Sequence, residues 1–389
     1  MMGVFRVSGF GFRGLPQPRQ PETRNQESET QDRNPEARNQ KPGARDQKPE
    51  TRNAIRVLAG FLLVAAVAAA REPDGTFSII RTPNNGIPVI VLPGDTFEAT
   101  LTQQAALSLV AENASPGLTV EWTKLPGGAT KAHCTVAADA QPGTYAIEAK
   151  TEDRTDRIPR SVFVVASFPD TYIVAQLTDT HVGGDRNGRS ASDIFRDAIK
   201  AVNESQAAFA VITGDLTHDG DLTQFQQFLD ILDTAFIPTF VCAGNHDRQG
   251  LNYERVFGPT VYMFRFSRDG YLCFDTKDFI PADELSGQDT ELEIFRRAIK
   301  PSRWSVGVTH RYEPFMAMRG QLVLFVDDPL DYLIFGHWHR ANTDKEKAVP
   351  WGRTPITVTP ATVDGYIRLF DVSGKGVKGR EPQKVAATE

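Results

Sequence analysis

Cysteine is scarce in this sequence. Three residues (Cys134, Cys242, Cys273) in 389 are too few and too scattered for a disulfide framework. Surplus positive charge is lacking too. The formal net charge is −6, so no basic surface offers itself to nucleic acid, although a bound metal could still draw phosphate locally. The apolar stretch Val57 to Ala70 is too short for an ordinary membrane span, so no stable span is expected. From Pro21 to Asn53 there is not one Val, Ile, Leu, Met or Phe. That segment repeats with a period of seven (Pro35 to Lys41, Pro42 to Lys48, Pro49 to Asn53). A coiled coil needs apolar side chains at two positions of each heptad, and none are present. With almost nothing to bury, residues 1–53 are expected to stay disordered and to carry no function. They read as upstream sequence translated from a start placed too early.

Arg52 and Arg56 precede the apolar stretch, which ends in Ala68-Ala69-Ala70. A basic flank, a short apolar run and an Ala-x-Ala end match a secretory signal peptide over residues 54–70. The expected location is therefore periplasmic or extracellular. The alternative is an uncleaved anchor or a buried helix.

The remainder is 40% hydrophobic and 24% charged by overall composition, ordinary for globular protein, and its length suggests two folded domains. Residues 72–168 alternate short β-rich runs with Pro/Gly turns: Pro88 to Leu92, Phe97 to Leu101, Leu118 to Trp122, Thr144 to Ala149 and Ser161 to Val165. Such spacing predicts an all-β sandwich. Pro142-Gly143-Thr144-Tyr145 resembles the tyrosine corner of immunoglobulin-like domains. His133 is the only histidine here, and no chemistry is assigned to this region, which reads as a spacer or docking module.

From residue 169 to 375 the pattern becomes strand, helix, strand, helix, an α/β arrangement, with a tail over 376–389. Tyr172 to Leu177 reads as a strand and is followed by Asp179-Thr180-His181. A helix led by Ser190 carries Ile194, Phe195, Ala198, Ile199 and Val202 on one face. Phe209 to Ile212 is a second apolar strand that breaks at Gly214 and presents Asp215. A helix with Leu222, Phe225, Leu229 and Leu232 follows, then strand Pro238 to Cys242 and Gly244-Asn245-His246-Asp247. A hairpin is predicted over Tyr262 to Phe274, turning at Asp269-Gly270, and a helix over Glu291 to Ile299. Ser305 to Val308 ends at Thr309-His310, and Leu333 to Phe335 ends at Gly336-His337-Trp338-His339. Ile356 to Val363 and Tyr366 to Val372 read as closing strands.

Six of the seven histidines (His181, His218, His246, His310, His337, His339) thus follow a predicted strand. Each short cluster alone has a bland structural reading. Five in order, each at a strand end where ligands of open α/β sheets collect, point to one site. Imidazole, carboxylate and amide ligands without thiolate suit Mn, Fe or Zn. The ligand-type residues outnumber what one ion needs, and the two oxygens of Asp215 can serve two ions. A pair of divalent ions is the usual arrangement for hydrolysing phosphate esters.

The order Asp179-x-His181, Gly214-Asp215, Gly244-Asn245-His246-Asp247, His310, Gly336-His337-x-His339 resembles the calcineurin-like metallophosphoesterase superfamily over about residues 171–373. The resemblance implies two mixed β-sheets sandwiched by helices. It also implies that Asp179, His181, Asp215 and His339 hold a first metal, and Asp215, Asn245, His310 and His337 a second. His246 would be the acid that assists the leaving oxygen, oriented by Asp247 or Asp219. Purple acid phosphatases have a tyrosine three residues after the bridging Asp, where this chain has His218, and they lack the histidine present here as His181. The first three blocks look more like the cyclic-nucleotide phosphodiesterase branch.

The function so implied is metal-dependent hydrolysis of a small-molecule or nucleotide phosphoester, by a hydroxide bridging two divalent ions. A phosphodiesterase comes first and an exported phosphomonoesterase second. A secreted binding protein acting through the sandwich is the rival of another class. Arg311 and Arg340 follow metal-ligand candidates and could clamp a phosphate. His218 and Trp338 are open between packing and substrate contact. The oligomeric state is not legible.

Overall fold

The computed structural model describes residues 79–111, 115–125, 129–275, 286–311, 329–341 and 354–385, with 286–290 as backbone alone. All belong to one unit, Ala65–Glu389. The seven-residue repeat and the signal-peptide stretch at 54–70 lie outside the described residues. Among the described residues no helix is long and apolar enough to cross a membrane.

The N-terminal region is built of β1 (Ile80–Thr82), β2 (Val89–Val91), β3 (Thr96–Leu101), β4 (Ala106–Val110), β5 (Leu118–Lys124), β6 (Thr130–Val136), β7 (Gly143–Lys150) and β8 (Thr155–Val164). They form two four-stranded sheets, ordered β1-β3-β6-β5 and β2-β8-β7-β4. Inward residues of both, such as Phe97, Ala99 and Cys134 from one and Leu109, Ile147 and Val162 from the other, share a single core cluster. Alternation explains why: in β6, buried Ala132 and Cys134 flank exposed His133. Tyr145 Oη donates to Gln141 O at 2.7 Å and ties the start of β7 to the preceding turn.

The second region runs through β9 (Tyr172–Leu177), a two-strand hairpin β10 (Asp185–Arg186) and β11 (Arg189–Ser190), α1 (Ala191–Glu204), β12 (Phe209–Thr213), α2 (Leu222–Leu232), β13 (Thr239–Cys242), α3 (Asn252–Phe257), β14 (Tyr262–Phe266) and β15 (Asp269–Cys273). It continues with α4 (Ser286–Ile299), β16 (Ser305–Val308), β17 (Tyr332–Phe335), β18 (Ile356–Val358), a 3-10 turn (Thr362–Asp364), β19 (Tyr366–Ser373), β20 (Gly376–Gly379) and β21 (Gln383–Lys384). One sheet is ordered β13-β12-β9-β19-β20, with β21 also paired to β19, and the other β14-β15-β16-β17-β18. Both are mixed: β9, β12 and β13 run parallel with β19 against them, and β15 to β18 run parallel with β14 against them. This is an α/β fold with several mixed sheets.

Period-two alternation sorts the apolar residues between layers. Ala210 and Ile212 of β12 face α1 and α2, while Phe209 and Val211 face the other sheet. There they meet Tyr271 and Cys273 of β15, Val306 and Val308 of β16, and Ile334 of β17. The far side of that sheet, Leu272, Leu333 and Phe335, packs on Leu292 and Ile299 of α4. Helix α1 forms where expected, because Ser190 caps it by accepting from Ser192 N at 3.2 Å. Its buried stripe includes Ile194, Phe195, Ala198, Ile199 and Val202.

The two regions are joined by hydrogen bonds from main chain and side chains. Val241 N donates to Gly86 O at 2.9 Å, and Asn84 Nδ2 to Phe257 O at 3.0 Å. The buried Arg160, in the left-handed region at φ 51°, donates to Leu232 O and Ile237 O, both at 2.8 Å, and so covers the C-terminal end of α2.

Two expectations are corrected. The hairpin turns at Ser267-Arg268, not at Asp269-Gly270, because Phe266 pairs with Asp269. Asp269 is drawn into β15 by Arg303, whose Nε and Nη2 reach its carboxylate at 2.9 and 2.5 Å, and by Tyr172 Oη at 2.8 Å. Buried charge pairing outweighs the local turn preference of Asp-Gly. Ile356 to Val363 is not one strand: β18 stops at Val358, and the chain turns so that Thr362 N can donate to Thr178 O at 2.7 Å. Strands β1, β4, β6 and β20, hairpin β10–β11 and helix α3 were not anticipated. Most are short, and β4 carries little β-branched or aromatic content to mark it.

Candidate active site

Every predicted site residue emerges at the C-terminal end of a parallel strand. Asp179 and His181 follow β9, Asp215 follows β12, and Asn245 and His246 follow β13. From the facing sheet His310 follows β16, and His337 and His339 follow β17. Parallel strands buried on both faces have only their ends free to carry polar groups, so the two sheets deliver these side chains to one edge.

Holding them there strains the backbone. Among the described residues nine non-glycine residues have positive φ, and five of them are Asp179, His181, Asp215, His337 and His339. Such conformations cost about 1–3 kcal/mol each and concentrate where function requires them. Close approach explains two glycines: a Cβ on Gly244 would lie 2.1 Å from Asp215 N, and one on Gly336 would lie 1.7 Å from Thr178 Oγ1.

Among the described residues, ligand-type atoms fall into three adjoining groups, the atoms of each within 4.8 Å of one another; His181, His218 and His246 form one. The other two are Asp179 with His181 and His339, and Asp179 with Asp215, His310 and His337. Asp215 Oδ2 lies between them, 3.3 Å from His310 Nε2 and 3.8 Å from His181 Nε2. Its other oxygen accepts from His246 N at 2.9 Å. Asn245 Oδ1 stands 3.1 Å from His310 Nε2, and His337 Nδ1 is also 3.1 Å from that nitrogen. Asp179 Oδ2 accepts from Thr178 Oγ1 at 2.6 Å and from His337 N at 2.9 Å. The buried Asp179 Oδ1 has no hydrogen-bond partner although His339 Nε2 faces it at 3.3 Å, and buried His181 Nδ1 has none either. Two buried side-chain atoms without hydrogen-bond partners, in a set of carboxylate, imidazole and amide, fit divalent cations.

Protonation follows from this crowding. Burial would raise Asp215, but the charge and hydrogen bond of His310 pull it below the usual carboxylate range. Conversely, against burial, Asp215 raises His310 to about 9. Burial lowers His181 and His337 to about 4, His337 with help from His310 and Arg311. Burial opposes the lowering of Asp179 by His339 and His310 beside it, and Asp179 in turn raises His339. Without cations, then, the site holds a proton at His310 and keeps His181 and His337 neutral.

His246 is not oriented by Asp247 or Asp219. Its Nδ1 meets His218 O at 2.6 Å, so the ring leans on main chain and its ring centre lies 4.7 Å from that of His181. The Asp247 carboxylate instead accepts from Leu216 N, Thr217 N, Thr217 Oγ1 and Gly244 N, bolting the loop after β12 to the loop after β13. Burial and then the charge of Asp215 raise it to about 6. Asp219 is tied to Gln224. Arg248, next in the same loop, pairs with buried Asp275. Arg311 Nη1 lies 3.4 Å from His337 Nε2, at the site. Arg340 sits over the ring of Trp338 at 5.0 Å, and Trp338 packs edge-on against Phe335. Asp364 was missed by sequence reasoning: it faces His339 Nδ1 at 3.4 Å, from a turn with no motif to announce it.

Fold and site together define a hydrolase of phosphoesters. The family model described as calcineurin-like phosphoesterase matches residues 172–341, from β9 to just beyond His339. A protein of Coxiella burnetii (strain RSA 493), described as a probable cyclic nucleotide phosphodiesterase, is 26% identical over 216 residues, 49% of this chain and 82% of the relative. The chain carries a calcineurin-like metallophosphoesterase domain, and the protein is a phosphoesterase. Among solved structures, a purple acid phosphatase from yellow lupin seeds is similar at 11% identity and a TM-score of 0.47, over 76% of this chain and 71% of that one. A dimetal phosphatase from Danio rerio is similar at 13% identity and a TM-score of 0.39, over 56% of this chain and 99% of that one.

Proposed function

We propose that the chain is a phosphodiesterase acting on a small or nucleotide phosphodiester. In this reading Asp179, His181, Asp215 and His339 hold one divalent transition-metal ion, and Asp215, Asn245, His310 and His337 a second. The observation that carries it is Asp215 Oδ2, which lies between His181 Nε2 at 3.8 Å and His310 Nε2 at 3.3 Å, at the junction of the two ligand groups. When bound, the ions supply Lewis-acid activation of water and of phosphoryl oxygens.

The chain's own residues do the rest. His310 would hold a cation as neutral imidazole, so the proton that Asp215 favours on it would have to leave. Thr213 O meets His310 Nδ1 at 2.8 Å and turns Nε2 toward Asn245 and Asp215. The main-chain contact of His246 Nδ1 leaves Nε2 to donate a proton to the departing oxygen. Arg311 offers positive charge to a phosphoryl oxygen at the His337 side.

The diester reading rests on the likeness of the first three motif blocks to cyclic-nucleotide phosphodiesterases and on the printed description of the Coxiella relative. Relative turnover of bis-p-nitrophenyl and p-nitrophenyl phosphate, with metal analysis of the purified protein, tests it. Two ions per chain and preference for the diester are expected; preference for the monoester would make it a phosphomonoesterase. We also read residues 54–70 as a cleaved export signal, which N-terminal sequencing of mature protein near Arg71 would check. The two sheets of residues 80–164 are read as an immunoglobulin-like docking module, supported by the shared core and the Tyr145 contact.

A further inference from the structure

Three of the histidines at the site are held from behind, and the holders differ in kind. His310 Nδ1 meets Thr213 O at 2.8 Å and His246 Nδ1 meets His218 O at 2.6 Å, both main-chain carbonyls that no substitution removes. His339 is held by side chains alone. Its Nε2 faces Asp179 Oδ1 at 3.3 Å, and its Nδ1 faces Asp364 Oδ2 at 3.4 Å. The other oxygen of Asp364 accepts from Arg186 Nε at 2.6 Å. Arg186 stands on β10, a hairpin that otherwise only leads into α1.

The turn carrying Asp364 is itself fastened to the end of β9. Thr178 N donates to Thr362 Oγ1 at 3.1 Å, Thr362 N to Thr178 O at 2.7 Å, and Val363 N to Asp179 O at 3.1 Å. Asp364 and Asp179 are thus set on opposite sides of the same imidazole by one piece of main chain. A carboxylate behind a ligating histidine fixes its tautomer and ring angle and makes the other nitrogen a better donor, and its loss typically weakens metal binding about 10–100-fold.

We propose that Asp364, braced by Arg186, is the positioning residue of the first metal site, orienting His339 so that its Nε2 joins Asp179 and His181 on that ion. The inference rests on the metal-site reading above and deepens it. The second group contains no residue that Asp364 touches, so the chain Arg186–Asp364–His339 tunes one ion and not the other. Arg186 acts at one remove: it holds the carboxylate in place and contributes less than Asp364 itself.

The test is stepwise cation binding to metal-free full-length protein, by chelator competition with Co²⁺, read from the absorption spectrum as well as from stoichiometry. Wild-type protein is expected to take up two ions. Asp364→Asn should weaken one of them about 10–100-fold and leave the other within a factor of about two. Arg186→Gln, at a half-exposed position where misfolding is not at issue, should weaken the same ion by less, and Arg186→Lys should recover part of the loss. If both variants bind two ions as wild type does, Asp364 has no positioning role. Equal weakening of both ions, or loss of the fold in Asp364→Asn with Arg186→Gln unaffected, also overturns it. Wild-type protein that takes up fewer than two ions would instead defeat the reading of the site itself, whatever the variants do.

Discussion

The two regions of this molecule bury similar kinds of residue and differ in what they leave over. In the N-terminal region most neighbouring strands run antiparallel, each strand turning one face inward, and polar side chains end up scattered over two outer faces. His133 is typical: exposed in mid-strand, 3.5 Å from Glu98. In the second region, parallel strands such as β12, β13, β16 and β17 are buried at every position. Polar residues can leave such strands only at their ends, so all ends at one edge become a single concentrated site. Strand direction, more than composition, separates the scaffold from the chemistry.

The largest expected effect comes from removing Asp215, the residue that the proposed ligand sets of both ions share. Asp215→Asn should lose both ions and reduce turnover to background, read by metal analysis and by hydrolysis of bis-p-nitrophenyl phosphate. Two tightly held ions in that variant would break the contrast between a concentrated site and an inert scaffold. Next is His246→Ala. It should keep its ions and lose about 10²–10⁴-fold on alkyl or nucleoside esters. The loss on p-nitrophenyl esters should be much smaller, since that leaving group needs no proton. Equal losses on both would take the acid role away from His246.

Acidity gives a third test, with two opposite signs. His310 is raised to about 9 in the metal-free protein, from an ordinary 6.5. Its pairing with Asp215 therefore stabilises the metal-free fold fully below pH about 6.5, and that contribution fades as pH rises through about 9. Cation binding must displace the same proton, so affinity should climb with pH until about 9 and then level off. Calorimetry in buffers of different ionisation enthalpy should show proton release on binding near neutral pH. An affinity flat across that window would remove His310 from the ligand set.

Smaller effects belong to the scaffold. Arg160→Ala removes two charged hydrogen bonds to the end of α2 and should cost about 2–3 kcal/mol in denaturant unfolding, with little change in turnover. A large fall in kcat with unchanged stability would mean that the joint between regions reaches the chemistry. His133→Ala should change stability by less than about 0.5 kcal/mol and leave activity alone.

The site was far more legible than its supports. Asp179, His181, Asp215, Asn245, His310, His337 and His339 could be picked out because each follows an apolar run directly, and local pattern is what sequence displays best. Helix α1 was legible for the same reason, through Ser190 and its stripe. The Asp269-Gly270 turn misled because a local preference was outweighed by Arg303, 34 residues away. The orienting group of His246 was sought among neighbouring carboxylates, and it is a main-chain carbonyl 28 residues back.

By itself, then, the sequence determined the strands and helices that lead into the site and which strand ends carry ligand-type side chains, because both are written in runs of a few residues. Tertiary structure alone decided which atoms meet. Asp215 came to lie between His181 and His310, Asp364 behind His339, and Asp247 across two loops. Most of those contacts join residues tens of positions apart in the chain. They exist because two sheets, packed face to face through Phe209, Val211, Val306 and Val308, bring their strand ends to one edge.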